Sequence, residues 1–436
     1  MGSGMRGGRK RTMKAKWMKR AGIGMLAAVL LAGSALLGGC GQRADAGETV
    51  ITDMEPEALR QVVASDNQHG RTILWQQTEE ETASVEYRIE GGGTIRSVQA
   101  GARLLKGNRG EPDRYIYEAR LDGLEPGDSY EYRTRAGNHV SPWHRLTADD
   151  GGAFTALIFP DTQSQDYGVW RAVAEAGRKQ APDAEFFINM GDLVDCGQDE
   201  YQWQAWLQGA GDLFRTMPVA PVMGNHEAYS LDWKMTLPER YLAHFTLPDN
   251  GDPSLAGLFY SFDWGPVHFT VLNTQAEELR EWYPDLFEKE LAWLEQDLSE
   301  TKQPWKVVLM HRDPLQYRIA SRPERKEGIS PEGEIFMPVF DRMQVDAVLS
   351  AHLHTYRNRG HIYDFQRDAR GPLYILTGVA GDVRYPNLWT NHALDVTVAP
   401  QPETDNFLTM EADADRLCFR AWLPDGTQID EAVLTK

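Results

Sequence analysis

Five short segments carry the residue types that hold metal ions: Asp161-Thr162-Gln163, Asp192-Leu193-Val194-Asp195, Asn225-His226-Glu227, His311 and His352-Leu353-His354. Each follows a short apolar run, at 156–159, 186–190, 219–223, 306–310 and 345–350. Short apolar runs that end in turn residues read as buried strands. A donor at the end of such a strand sits on the rim of a sheet, where α/β folds bind their ligands. Carboxylate, amide oxygen and imidazole together suit Fe, Mn or Zn. The chain is organised to bring these donors to one edge.

The elements that would position them follow from texture. From 51 to 150 the pattern is β, with alternating runs at 72–76, 83–89 and 115–121 and a turn at Pro126-Gly127. Short strands at that spacing predict a β-sandwich. From 151 to 436 strands alternate with helical spacing at 168–180, 199–214, 285–299 and 333–343. Runs 258–264 and 267–273 predict a hairpin around Gly265-Pro266, and residues 361–436 add further strands. This order predicts an α/β domain of two packed sheets with helices outside.

Residues 1–20 hold eight Lys/Arg and no acid, and 21–39 are apolar or small, the pattern of a signal segment. Leu37-Gly38-Gly39-Cys40 follows and resembles a bacterial lipobox, which implies cleavage before a lipid-modified Cys40. Residues 41–50 read as a tether. The alternative is an uncleaved anchor, since 19 apolar residues just span a bilayer. Both readings place the body outside the cytoplasmic membrane. Without residues 1–40 the chain keeps 37 Lys/Arg against 64 Asp/Glu, a net charge near −27. Such a surface repels polyanions, so no nucleic-acid-binding surface is expected. Only Cys196 and Cys418 remain, so no disulfide framework is expected.

The five motifs, in their order and with their glycines, resemble the calcineurin-like metallophosphoesterases over about residues 153–360. The preceding sandwich, with Leu124-Glu125-Pro126-Gly127, and the 260–269 segment resemble the purple acid phosphatase branch. The resemblance implies a four-layer α/β sandwich, two mixed sheets flanked by helices, after a fibronectin-III/Ig-like domain. It implies two metal ions, divalent or trivalent. Asp161 and His354 would hold the first, Asn225, His311 and His352 the second, and Asp192 would bridge. The ions would polarise the phosphoryl group of a small phosphorylated substrate and turn bound water into hydroxide. A phosphomonoesterase is favoured; a diesterase or nucleotide pyrophosphatase, or a binding protein with a relict site, are the alternatives. His226 would bind phosphate or protonate the leaving oxygen, with Asp195 hydrogen-bonded to it.

Two positions depart from the family pattern. Gln163 stands where His is common and is an additional candidate ligand. Asp195 stands where purple enzymes carry the Tyr that gives their colour, so this protein is expected to lack that colour. Arg312 and Tyr356 are candidates for substrate contact, against plain surface and packing roles respectively. The lone His244, His268, His361 and His392 read as packing or surface residues, and Cys196 as a turn residue rather than a ligand.

Overall fold

The structure is a computed structural model that describes residues 58–136, 139–401 and 403–436. The leader, Cys40 and the tether lie outside the described residues. No helix among the described residues is long and apolar enough to cross a membrane.

Two large sheets form the centre. The first has ten strands, in the order Gln428–Thr435, Arg416–Trp422, Phe407–Ala412, Phe154–Phe159, Phe186–Asn189, Pro218–Pro221, Arg60–Val62, Gly70–Gln77, Arg114–Asp122 and Gly101–Leu105. Its middle, from Phe154–Phe159 through Arg60–Val62, is parallel. The second runs from the hairpin Tyr260–Trp264 and Val267–Val271 through Trp305–Leu309, Ala347–Ser350 and Leu373–Thr377 to Tyr356–Tyr363. The strands of both parallel cores are buried but for Thr155 and Lys306 near the starts of theirs, as strands covered on both faces should be. Phe186 joins the two sheets, with its ring 5.6 Å from Phe269 and 5.9 Å from Phe262.

Helices cover the outer faces. Tyr167–Gln180 starts where the Asp166 carboxylate accepts the Gly168 N–H, and its Trp170 packs edge-on to Phe159 at 4.9 Å. Leu286–Glu300 and Pro331–Arg342 cover the second sheet, with Leu294, Leu298, Phe336 and Phe340 in one cluster with Val308 and Val348. The last of these helices begins two residues earlier than its apolar spacing implies. Ser330 caps it by accepting the Gly333 N–H, and Pro331 takes the first-turn position where no N–H is needed. The expected single helix over 199–214 is two, Glu200–Gly209 and Gly211–Thr216, divided at Gly209-Ala210-Gly211. Two glycines weaken that stretch more than its apolar periodicity supports it.

The N-terminal strands hold a third sheet, Arg96–Gln99, Ala83–Ile89, Ser129–Ala136 and His139–Val140, with His144–Thr147 also paired to Ser129–Ala136. A core of Leu59, Ile73, Trp75, Val85, Tyr117 and Tyr132 lies there. The boundary expected at 150 is not a break in the backbone pairing. Arg60–Val62 pairs in parallel with Pro218–Pro221, so one N-terminal sheet continues the central one. Val62, Val63 and Leu74 accordingly belong to the main core.

Candidate metal centre

All five motifs leave the C-terminal ends of parallel strands, so the chain reversals after those strands share one edge. Asp161 follows Phe154–Phe159, Asp192 follows Phe186–Asn189, Asn225 follows Pro218–Pro221, His311 follows Trp305–Leu309 and His352 follows Ala347–Ser350. There the side chains form two clusters, Asp161, Asp192 and His354, and Asp192, His311 and His352, each with its ligand atoms within 4.8 Å. Asp192 belongs to both.

The backbone is bent to achieve this. Asp192, His352 and His354 have φ of +47°, +73° and +52°. A left-handed conformation is costly for residues with a Cβ and persists where the surroundings over-determine it. For Asp192 those surroundings are Glu227. Its buried carboxylate accepts N–H groups from Asp192 (3.0 Å), Leu193 (2.8 Å), Val194 (3.4 Å) and Gly224 (2.7 Å). Gly224 has no alternative, because a Cβ there would overlap the Asp192 carboxylate and amide. His352 is held by its N–H donating to both Asp161 oxygens, at 3.1 and 3.0 Å.

The donor atoms fit cations. His311 Nδ1 donates to the Met190 carbonyl at 2.9 Å, and His354 Nδ1 to the Val383 carbonyl at 2.8 Å. A carbonyl only accepts, so in the neutral rings Nδ1 carries the proton and Nε2 carries the lone pair. His311 Nε2 then faces Asp192 Oδ2 at 3.1 Å and Asn225 Oδ1 at 3.3 Å. His354 Nε2 faces Asp161 Oδ1 at 3.5 Å. Acceptors turned on acceptors require a proton or a cation between them. Two more buried acceptors, His352 Nδ1 and Gln163 Oε1, have no protein partner. Buried polar atoms are rarely left so, and both lie on the residues expected to ligate.

Electrostatics divide the histidines. Burial opposes a charge on His311, but Asp192 and Asp161 outweigh it and raise the ring to about 9, so its Nε2 holds a proton that a bound cation would replace. Burial, then the positive neighbours Arg312 and His311, pushes His352 well below the usual imidazole range. Burial brings His354 down to about 4. Both rings are therefore neutral and available. Burial raises Asp161 to about 7, whereas His311 and His226 outweigh burial at Asp192 and hold it well below the usual carboxylate range.

His226 stands beside the clusters rather than in them. Its Nδ1 donates to the Asp195 backbone carbonyl at 2.6 Å. The Asp195 carboxylate, expected to make that bond, lies 3.6 Å away and accepts instead from Gln163 Nε2 at 3.3 Å. The turn presents the carbonyl to the ring and sends the side chain across to Gln163. Gln163 Nε2 is also 3.2 Å from His226 Nε2, so one amide links the ligand set to this histidine.

Three other expectations resolve plainly. Arg312 is tied to Glu278 and to Gln275 Oε1 (3.1 Å), so its charge is already paired. Tyr356 is not a cleft residue: it is buried, and its hydroxyl donates to Asp430 at 2.8 Å, which corrects its candidacy for substrate contact. Cys196 is a buried free thiol facing the Tyr229 and Ser230 carbonyls, outside both clusters.

Residues 154–356 match the calcineurin-like phosphoesterase family, and residues 56–148 match the purple acid phosphatase N-terminal domain. Purple acid phosphatase 23 of Arabidopsis thaliana is 31% identical over 62% of this chain and 63% of its own length, so the alignment spans less than two thirds of that protein. Acid phosphatase type 7 of Mus musculus is 27% identical over 68% of this chain and 72% of its own. Among solved structures, a purple acid phosphatase from yellow lupin (Lupinus luteus) seeds shares the fold, with a TM-score of 0.72 at 18% identity over 87% of this chain and 74% of that one. PhoD does so with 0.61 at 12% identity, over 86% and 88%.

The site also uses residues that the motifs do not contain. Glu227 sits inside the Gly-Asn-His-Glu run, but nothing in that run shows that its carboxylate serves backbone N–H groups of the 192–194 turn. Tyr229 and Trp233 flank His226, and Tyr385 lies 4.9 Å from His354. Loops bring these three in, and loop residues carry no periodic signal.

Proposed function

We propose that the protein is a binuclear metal-dependent phosphoesterase that acts first as an acid-phosphatase-like phosphomonoesterase. The observation that carries this reading is the pair of ligand clusters sharing Asp192. Asp161, Gln163 and His354 would hold one ion, and Asn225, His311 and His352 the other. The ions would be Fe, Mn or Zn, by donor type. Bound there, they would supply Lewis acidity toward the phosphoryl oxygens and a lowered pKa for water.

The chain's own residues do the remaining work. Asp192 keeps its charge and would be the anion shared by both clusters. His226 is fixed by the Asp195 carbonyl through Nδ1; its Nε2 accepts from the Gln163 amide at 3.2 Å in the neutral ring and would donate to the leaving oxygen only in the protonated one. Burial works against its charge, but Asp192 and Asp195 outweigh burial and raise its pKa, which favours the protonated donor. The Asp195 carbonyl holds the ring, and the Asp195 carboxylate, 3.6 Å from Nδ1, favours its charge. With Asp195 at this place and no tyrosine among the proposed ligands, iron-loaded protein should show no tyrosinate charge-transfer band.

The leader reading completes the proposal: Cys40 is acylated and holds the enzyme at the outer face of the cell membrane. Cys40→Ser should release the protein, and an unmodified Cys40 in soluble wild-type protein would remove this part. For the activity, metal-analysed protein is assayed on phosphomonoesters, phosphodiesters and nucleotides. Metal-dependent turnover strongest on monoesters is expected. Two bound ions with no turnover on any ester would contradict the reading.

A further inference from the structure

Trp233 is among the few large apolar side chains left open to solvent, at 41% exposure, and it stands against His226. The two rings are perpendicular with centroids 5.8 Å apart. Tyr229 lies against the other side of the corner, 5.5 Å from His226 and 5.9 Å from Trp233. The His226 side chain is itself 14% exposed, so Trp233 and the proposed proton donor open to solvent together.

The loop that carries Trp233 is built to hold it there. Ser230 N–H donates to the Lys234 carbonyl at 2.8 Å, and Trp233 N–H donates to the Ser230 carbonyl at 2.9 Å. Ser230 Oγ donates to Asp232 at 2.6 Å and accepts the Lys234 N–H at 3.1 Å, and Lys234 pairs with Asp232. Tyr229 bridges to Met235 across the loop. At its tip Trp233 has φ +60°, a conformation uncommon for an aromatic residue. A strained backbone holding a large apolar ring in water has no folding benefit of its own, and such strain collects at binding sites. An aromatic ring offers a flat surface whose edge and face geometries favour another ring.

We infer that Trp233, backed by Tyr229, is a stacking platform that selects phosphate esters whose alcohol part is a flat ring. This rests on the proposed phosphoesterase site, since His226 and the metal ligands must place the phosphoryl group beside the platform. Stacking one planar group on an aromatic side chain is worth about 1–3 kcal/mol, or roughly 5–150-fold in affinity.

The test compares phenylphosphonate with methylphosphonate, which share a head group and differ by the ring. Their dissociation constants are measured calorimetrically on metal-reconstituted wild type, Trp233→Ala and Trp233→Phe. Wild type should prefer phenylphosphonate by roughly tenfold. Trp233→Ala should lose that preference while binding methylphosphonate within twofold of wild type, and Trp233→Phe should keep most of it. A wild type without the preference, or an Ala variant that keeps it, overturns the inference. If Trp233→Ala weakens both ligands equally, the ring is structural and the inference also fails. Binding is read without turnover, so an inactive wild type that still shows the preference would sink the phosphoesterase reading and leave the platform standing.

Discussion

At the scale of single residues, His226 and the ligands divide their labour. Two ligand histidines, His311 and His354, fix Nδ1 on the carbonyls of Met190 and Val383 and turn Nε2 inward. His226 fixes Nδ1 on Asp195 and lies outside both clusters. His226→Ala should therefore keep both metals while losing about 10²–10⁴-fold in turnover on esters with poor leaving groups. Nitrophenyl esters should lose less, since their leaving oxygen needs little protonation. Parallel metal analysis and kinetics check this, and loss of a metal would make His226 a ligand. Because the carbonyl rather than the carboxylate of Asp195 holds the ring, Asp195→Asn should show only a mild form of the same defect.

At the scale of elements, the site is a set of strand ends tightened by turns. Glu227 closes the tightest of them by accepting four N–H groups from the 192–194 and 224 backbone. In Glu227→Gln an amide NH₂ replaces one oxygen and faces donors. Leaving buried donors unmatched costs about 1–3 kcal/mol. The expected result is a lower thermal midpoint and weaker metal retention, read by calorimetry and by metal analysis after dialysis. The strand-end ligands were legible because a buried apolar run and a polar turn are both local signals. Glu227 was in view but silent, since three of the four backbone groups it serves lie 33 to 35 residues away in sequence. Trp233 and Tyr385 arrive on loops whose course is set by tertiary contacts. The helix split at Gly209-Ala210-Gly211 shows the reverse case, where apolar spacing ran on past a backbone that could not follow.

At the scale of the whole molecule, backbone pairing ties the N-terminal strands to the catalytic sheet, a feature hidden by the shortness of Arg60–Val62. The far sheet is tied to its covering helix by a buried charge. His268 Nδ1 meets Asp263 at 2.7 Å and Nε2 meets Asp297 at 2.9 Å. Burial opposes the charged ring, but these two carboxylates win and raise His268 from 6.5 to about 9. A raised pKa stabilises the fold fully below pH 6.5, and that stability fades as pH rises through 9. The shift corresponds to roughly 3 kcal/mol at most. Chemical denaturation from pH 6 to 10 should show wild type losing stability across that window, with the slope reduced in His268→Gln. An identical slope in the variant would assign the effect to other groups.

The central claim is that Asp192 is the shared anion of a two-metal centre. The direct measurement is metal content and phosphate-ester turnover on the same preparations of wild type and Asp192→Asn. Wild type should hold two metal ions per chain and hydrolyse the ester. Without its bridging charge the variant leaves two cations unshielded, and should lose metal and activity together. A variant that keeps two metals per chain and near-native turnover would contradict the account.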